Sequence, residues 1–126
     1  MDKNYDLAGQ VIGLAMVIHS TLGPGFVEAV YESAVCLDLG EAGILHSRQA
    51  PLEVRYRGHI IGDFFTDICI GRELIIELKS VQTLLPIHEV QLVNYLTATG
   101  IDEGLLLNFG SESLQFKKKF RKSQRP

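Results

Sequence analysis

Residues 74–79, Leu-Ile-Ile-Glu-Leu-Lys, constrain the chain more than any other stretch. A short, nearly continuous apolar run bounded by a turn reads as a strand covered on both faces. This one ends in two charges. Successive side chains on a strand point to opposite faces, so Glu77 and Lys79 emerge together while Ile76, Leu78 and Ser80 face the other way. Burying charge is costly unless it is paired or bound to a metal, so a carboxylate and an ammonium at the end of a buried strand mark a candidate site. Taken alone, Glu-x-Lys is common, and a strand-edge ion pair would also account for it.

The flanking sequence supplies a sheet and its helices. From Ile44 the pattern becomes strand-like, and Leu52, Val54 and Tyr56 alternate with Glu53, Arg55 and Arg57. Gly58-His59 then offers a tight turn, and residues 59–70, rich in Ile, Phe and Thr, form a second strand. Gly71-Arg72 is the next turn, which makes both strand pairs antiparallel hairpins. Asp67 lies ten residues before Glu77 and can approach the same spot across the second hairpin. Hard divalent ions such as Mg2+ take oxygen ligands and keep several waters, so two carboxylates plus a substrate phosphate are a sensible set.

Upstream, Leu7, Val11, Leu14, Ala15 and Ile18 recur at three and four, the stripe of an amphipathic helix. Leu22-Gly23-Pro24-Gly25 breaks it. Phe26, Val30, Ala34 and Leu37 resume the spacing in a second helix, which carries Glu28, Tyr31 and Glu32. After Pro86, the residues Ile87, Val90, Leu92, Val93, Tyr95 and Leu96 predict a largely buried helix closed by Gly100. Residues 104–109 follow as a buried strand that can cross over to lie parallel to an earlier one. The predicted order is ααβββαβ, with a further strand at Leu114–Phe116.

Length and composition narrow the classes. At 126 residues, 46% hydrophobic and 21% charged, the chain fits one ordinary globular domain, with no repeat or low-complexity tract. No apolar run approaches the roughly 20 residues of a membrane span, and the first ten residues do not read as a secretory signal. No membrane association and a cytoplasmic location are therefore expected. Cys36 and Cys69 have neither CxxC spacing nor company enough for a disulfide framework or a zinc site. His19, His46, His59 and His88 show no metal-binding spacing, and only His88 is kept as a candidate beside the site. Asp63 reads as an exposed turn acid, Tyr31 as a packing residue with one hydrogen bond, and Gly23-Pro24-Gly25 as a packing turn rather than a phosphate cradle.

Charge is divided along the chain. Residues 1–116 hold all 15 acidic residues and six basic ones, a net charge of -9, and the last ten residues hold six basic residues and no acidic ones. The expected division is a domain over 1–116 and a basic tail over 117–126. Lys117, Lys118, Lys119, Arg121 and Lys122 are candidates for holding a nucleic-acid backbone through salt-dependent counterion release. An arm that touches only the acidic body is the competing reading.

These motifs, in this order, resemble the small GxxExxY proteins of the PD-(D/E)XK nuclease superfamily. The naming motif stands as Gly25-Phe26-Val27-Glu28-Ala29-Val30-Tyr31, preceded by His19 and Leu22-Gly23-Pro24. Asp67 with Glu77-Leu78-Lys79 is similar to the superfamily's acid and E-x-K, and residues 86–96 are similar to the family's glutamine-bearing helix. Thr66 stands where a Pro precedes the Asp in the superfamily's name, and Phe65 where the family often has a basic residue.

The resemblance implies a restriction-endonuclease-like αβββαβ core with a mixed central sheet and an extra N-terminal helix. It implies a metal-dependent nuclease hydrolysing phosphodiester bonds, in DNA, with Mg2+ or Mn2+ as cofactor. Asp67 and Glu77 would hold the metal and Glu28 would complete the set. Lys79, whose ordinary pKa is about 10.4, would stay protonated to orient the attacking water and offset phosphate charge. Gln91 would position the water or a phosphate. Two other readings are carried beside this one: a nuclease-fold binding or regulatory module with little catalysis, favoured by the acidic body, and a hydrolase of some smaller phosphate ester. A homodimer placing one site on each strand is the expected assembly.

Overall fold

The computed structural model describes residues 6–121. Helices α1 (Leu7–Leu22) and α2 (Glu28–Glu41) lead into strands β1 (Ser47–Tyr56), β2 (His59–Ile70) and β3 (Leu74–Lys79). Helix α3 (Pro86–Thr99), β4 (Glu103–Asn108) and β5 (Gln115–Phe120) complete the order. The five strands lie side by side in sequence order; β3 and β4 are parallel and the other pairs antiparallel. This is an α/β fold with a mixed sheet, as expected, and the crossover through α3 supplies its parallel pair.

Alternation along the central strands sorts two cores. Leu74, Ile76 and Leu78 of β3, with Leu105 and Leu107 of β4, pack under α1 and α2 against Ala15, Ile18, Tyr31, Val35 and Leu39. Ile75 and Leu106 point the other way, to Leu92, Tyr95 and Leu96 of α3 and to Leu52 of β1. Each fully buried Leu or Ile contributes about 1.5–3 kcal/mol relative to an exposed one. With both faces covered, β3 needs apolar residues at nearly every position. Glu77, only 6% exposed, interrupts that run on the α3 side.

Several local expectations shift. The first hairpin turns at Arg57-Gly58, not at Gly58-His59, because both central residues adopt positive φ (53° and 79°), the conformation that matches the twist of a two-residue hairpin. β1 starts at Ser47, three residues after the change of pattern at Ile44. The last strand runs through Phe120, so a boundary after residue 116 would cut β5. Lys117, Lys118 and Lys119 pair with Leu106, Leu105 and Gly104 of β4, and are sheet residues rather than a free arm. Lys118 and Lys119 reach Asp6 and Glu89, and Arg121 reaches Asp102. Lys122 and Arg125 lie outside the described residues.

Two connections fix the end of the sheet that carries Lys79. Asn108, fully buried, accepts from the backbone N–H of Val81 and Gly110 and donates to the Val81 carbonyl and to Gln115 Oε1. It clamps the segment after β3 to the end of β4. Gly110 must be glycine there, since a Cβ would stand 2.3 Å from the Val81 nitrogen. On the other face, Ser80 donates to the carbonyl of Phe26 and so ties the α1–α2 turn to the same end of β3.

Candidate active site

Asp67 sits at a gap in the pairing of β2 with β1 and at the end of its pairing with β3. The β1–β2 register pairs Arg48 with Ile68 and Ala50 with Thr66 but skips Gln49, which has φ 54° and stands opposite Asp67. The β2–β3 ladder ends at Ile68 and Ile76, one step short of pairing Asp67 with Glu77. Side alternation also breaks here. Thr66 lies beside Cys69, and Phe64 against Tyr95, on the α3 side, whereas Ile68 and Ile70 face α1 and α2.

In place of ladder bonds, the two carboxylates bind the opposite backbones. Glu77 Oε2 accepts from the Asp67 N–H at 2.7 Å, and Asp67 Oδ2 accepts from the Leu78 N–H at 2.8 Å. The strands are thus held together by two acidic side chains facing each other. Burial pushes Glu77 up to about 8, and the charge of Asp67 adds to the rise. The Asp67 N–H, Lys79 and Glu28 act as well, the first two downward and Glu28 upward. Burial also raises Asp67, opposed by the Leu78 N–H, with Glu32 and Glu28 raising it further and Lys79 lowering it. Near neutral pH this pair retains a proton. Its remaining charge favours a cation.

Of the other expected residues, Glu28 is the first residue of α2 and reaches both carboxylates through its charge. Tyr31 places it. The Tyr31 ring stacks on Phe109 with centroids 4.5 Å apart, and its hydroxyl donates to the Gly23 carbonyl while the hydroxyl oxygen accepts from the Phe26 N–H. Tyrosine and glutamate of the motif thus form one device, a turn pinned by the tyrosine that starts a helix on the glutamate. Lys79 is half-buried beside the pair. Gln91 belongs to the neighbourhood through Tyr95, whose phenol is raised chiefly by burial, then by Glu77 and Asp67, and is partly lowered by the Gln91 side chain. His88 takes a different part. Its Nδ1 accepts from the Leu85 N–H and caps α3.

Sequence reasoning missed a second layer. Glu32, one helical turn after Glu28 and nearly buried, is ion-paired to Arg48 at 2.5 Å and accepts from Gln49 Nε2 at 2.9 Å. This contact holds α2 to the bent part of β1. The i, i+4 spacing of Glu28 and Glu32 was the available signal, since it places both on one helix face.

A metal is tested by the donors themselves. Among the described residues no three His, Cys, Asp or Glu side chains stand together as a closed shell. Asp67 and Glu77 offer an oxygen-only, two-carboxylate half-shell, which suits an ion such as Mg2+ that keeps waters and takes substrate phosphate. It does not suit zinc, which would draw on His or Cys.

Similarity to known proteins bears on the family and the fold. The model of the PD-(D/E)XK nuclease superfamily matches residues 5–122. The chain belongs to the PD-(D/E)XK nuclease superfamily. Nucleases of this superfamily generally use divalent metals. Among solved structures, SSO0001 is similar over 77% of this chain at 15% identity and TM-score 0.59. The chain spans about half of that protein, 52% of its length. An alkaline exonuclease from Laribacter hongkongensis is similar over 97% of this chain and 73% of its own, at 12% identity and TM-score 0.53. These likenesses bear on the fold. No curated protein matches. Among the described residues no helix is long and apolar enough to cross a membrane.

Proposed function

We propose that this chain is a divalent-metal-dependent nuclease of the GxxExxY type that hydrolyses phosphodiester bonds in DNA in the cytoplasm. The observation that carries this reading is the Asp67–Glu77 pair, two carboxylates facing each other at the end of β2 and β3 with Lys79 beside them. Asp67 and Glu77 would hold Mg2+ or Mn2+, with Glu28 completing the set. When bound, the cation supplies Lewis acidity at the phosphate and a more acidic water. Lys79 presents its ammonium to the phosphate oxygens and orients the attacking water, and Gln91 with Tyr95 borders the space where the strand lies. The cationic rim of β5, with Lys117, Lys118 and Lys119, and Arg121 just after it, offers contacts to the phosphate backbone, and Lys122 follows in the sequence. A homodimer is the assembly proposed.

The test is calorimetry with Mg2+ and Mn2+ on the wild type, Asp67→Ala and Glu77→Ala, followed by nicking of plasmid DNA with the same three proteins. Metal binding and nicking in the wild type, lost in both variants, is the expected result. No metal binding by the wild type with DNA present would sink the catalytic reading. A second reading, a binding module on a nuclease fold, is favoured by one observation: both carboxylates already have backbone partners and among the described residues no third acid closes a shell. It predicts DNA binding that Asp67→Ala leaves intact.

A further inference from the structure

Between the β1–β2 hairpin and α3 runs a groove of about 920 Å³, toward the upper end of the range, roughly 300–1,000 Å³, usual for ligand sites. Phe64 and Tyr95 meet in it with ring centroids 5.9 Å apart, Ile87 and Val90 add aliphatic surface, and Gln91 and Asn94 add amides. Phe64 is 44% exposed and Ile87 63%, so this apolar surface is open to a ligand. The groove is continuous with the active site. Tyr95 lines it and also lies close enough to Glu77 and Asp67 to feel both charges.

Its electrostatics select among occupants. Glu53 and Arg55 are the acidic and the strongly basic residue of the lining, and they pair with each other at 2.9 Å. The groove therefore has no cationic excess with which to neutralise phosphates. A duplex presents its phosphates outward and keeps its bases stacked inside, so it has little to place here. Unpaired bases offer flat apolar faces for Phe64 and hydrogen-bonding edges for the amides, while their phosphates stay at the solvent side. A strip interrupted by amides and an ion pair is a poor seat for an apolar helix or a second copy of the chain.

We propose that this groove receives unpaired nucleobases of the strand to be cut, so that the substrate is single-stranded or frayed nucleic acid rather than intact duplex. The inference rests on the nuclease reading above and deepens it. Base recognition is then assigned to the hairpin and α3, and phosphate chemistry to the ends of β2 and β3.

The test uses the full chain carrying Glu77→Gln, without added metal, so that binding is read without cleavage. Fluorescence anisotropy compares a short labelled oligothymidylate with a blunt duplex of the same length. The single strand is expected to bind at least about tenfold more tightly. Adding Phe64→Ala should weaken single-strand binding by about 5- to 150-fold, the range for one lost base–aromatic stack, and leave duplex binding unchanged. Val90→Glu, at an exposed helix position, should act in the same direction, and melting curves show that both variants fold. Equal affinity for single strand and duplex overturns the proposal, as does an unchanged affinity in both folded variants. Self-association of the parent that Phe64→Ala abolishes would assign the groove to a second copy and also overturns it. Plasmid and oligonucleotide cutting by the wild type with Mg2+ is read separately. Cutting in which Phe64→Ala leaves the strand preference untouched removes the groove proposal alone. Absence of cutting beside Phe64-dependent single-strand binding removes the nuclease reading and keeps the groove as a base-binding surface.

Discussion

Asp67 and Glu77 each place a carboxylate on the other strand's backbone: Glu77 accepts from the N–H of Asp67, and Asp67 accepts from the N–H of Leu78. The pairing step that would have joined the two residues through their main chains is absent, and two acids stand in its place. Structure and chemistry are therefore coupled at one point, since whatever changes the charge of the acids also changes how the two strands are held.

Acid titration should reveal this coupling. Glu77 ionises near about 8 in the folded protein against 4.5 for the free side chain. Between those values the folded state binds more protons than the unfolded chain, so stability falls as pH rises through the window and is highest at its acid end. The melting temperature of the metal-free protein should drop by about 4 °C or more from pH 5 to pH 9. Glu77→Gln, neutral throughout, should flatten that slope. A wild-type melting temperature that rises across the same range would contradict the assignment.

Divalent cations should act in the opposite sense. Binding to the ionised pair expels the retained proton, so Mg2+ should stabilise the protein more at pH 8 than at pH 6. Calorimetry in buffers of different ionisation enthalpy would register the released proton. Binding heats independent of buffer would mean that the cation does not sit on this pair.

Lys79→Met removes the positive charge that lowers both acids. Cleavage should fall by about 100- to 1,000-fold, the loss usual for a single preorganised group acting on developing charge. The pH at which metal binds should move upward, because the acids would then ionise later. Lys79→Arg should restore the metal profile more fully than the rate, since a planar guanidinium does not place its charge where an ammonium does.

Tyr31→Phe keeps the ring on Phe109 but removes the hydroxyl that bridges Gly23 and Phe26. A stability loss of about 1–3 kcal/mol is expected from denaturant unfolding. Metal affinity should weaken with it, because the first turn of α2 that carries Glu28 loses its anchor. Equal affinity in the two proteins would show that Glu28 is not a ligand.

Neutralising the β5 lysines one at a time should separate free from committed charge. Lys118 and Lys119 are held by Asp6 and Glu89, whereas Lys117 is exposed on the strand. Lys117→Ala should reduce the salt dependence of nucleic-acid binding by a slope of about 1, and Lys118→Ala and Lys119→Ala by less. Titrations across a salt series measure the slopes directly.

Much of this arrangement was legible in the residues. The three- and four-residue apolar spacing located α1, α2 and α3, and the Leu74–Lys79 run with Glu77 and Lys79 on one side was read from strand alternation alone. What escaped had no periodic signature. The lysines of β5 read as a solvated tail because an edge strand needs little apolar surface once its neighbour is buried. The break at Asp67 depends on Gln49 and Glu77, 18 residues before it and 10 after, and no local pattern encodes that meeting. Asn108 is polar in an otherwise apolar strand, and its role becomes visible only when the segment after β3 returns to it.

The two outer strands of the sheet carry unlike borders. β1 bends at Gln49 and contains Pro51, which has no N–H to offer, while β5 presents three consecutive lysines along its length. An open border with free N–H and C=O groups is a template on which further chains can stack into fibrils, and a bend, a proline and like charges are three ways of spoiling that template. The lysines of β5 thus guard that border whether or not nucleic acid is present, and a variant neutral at all three should be lost first to aggregation.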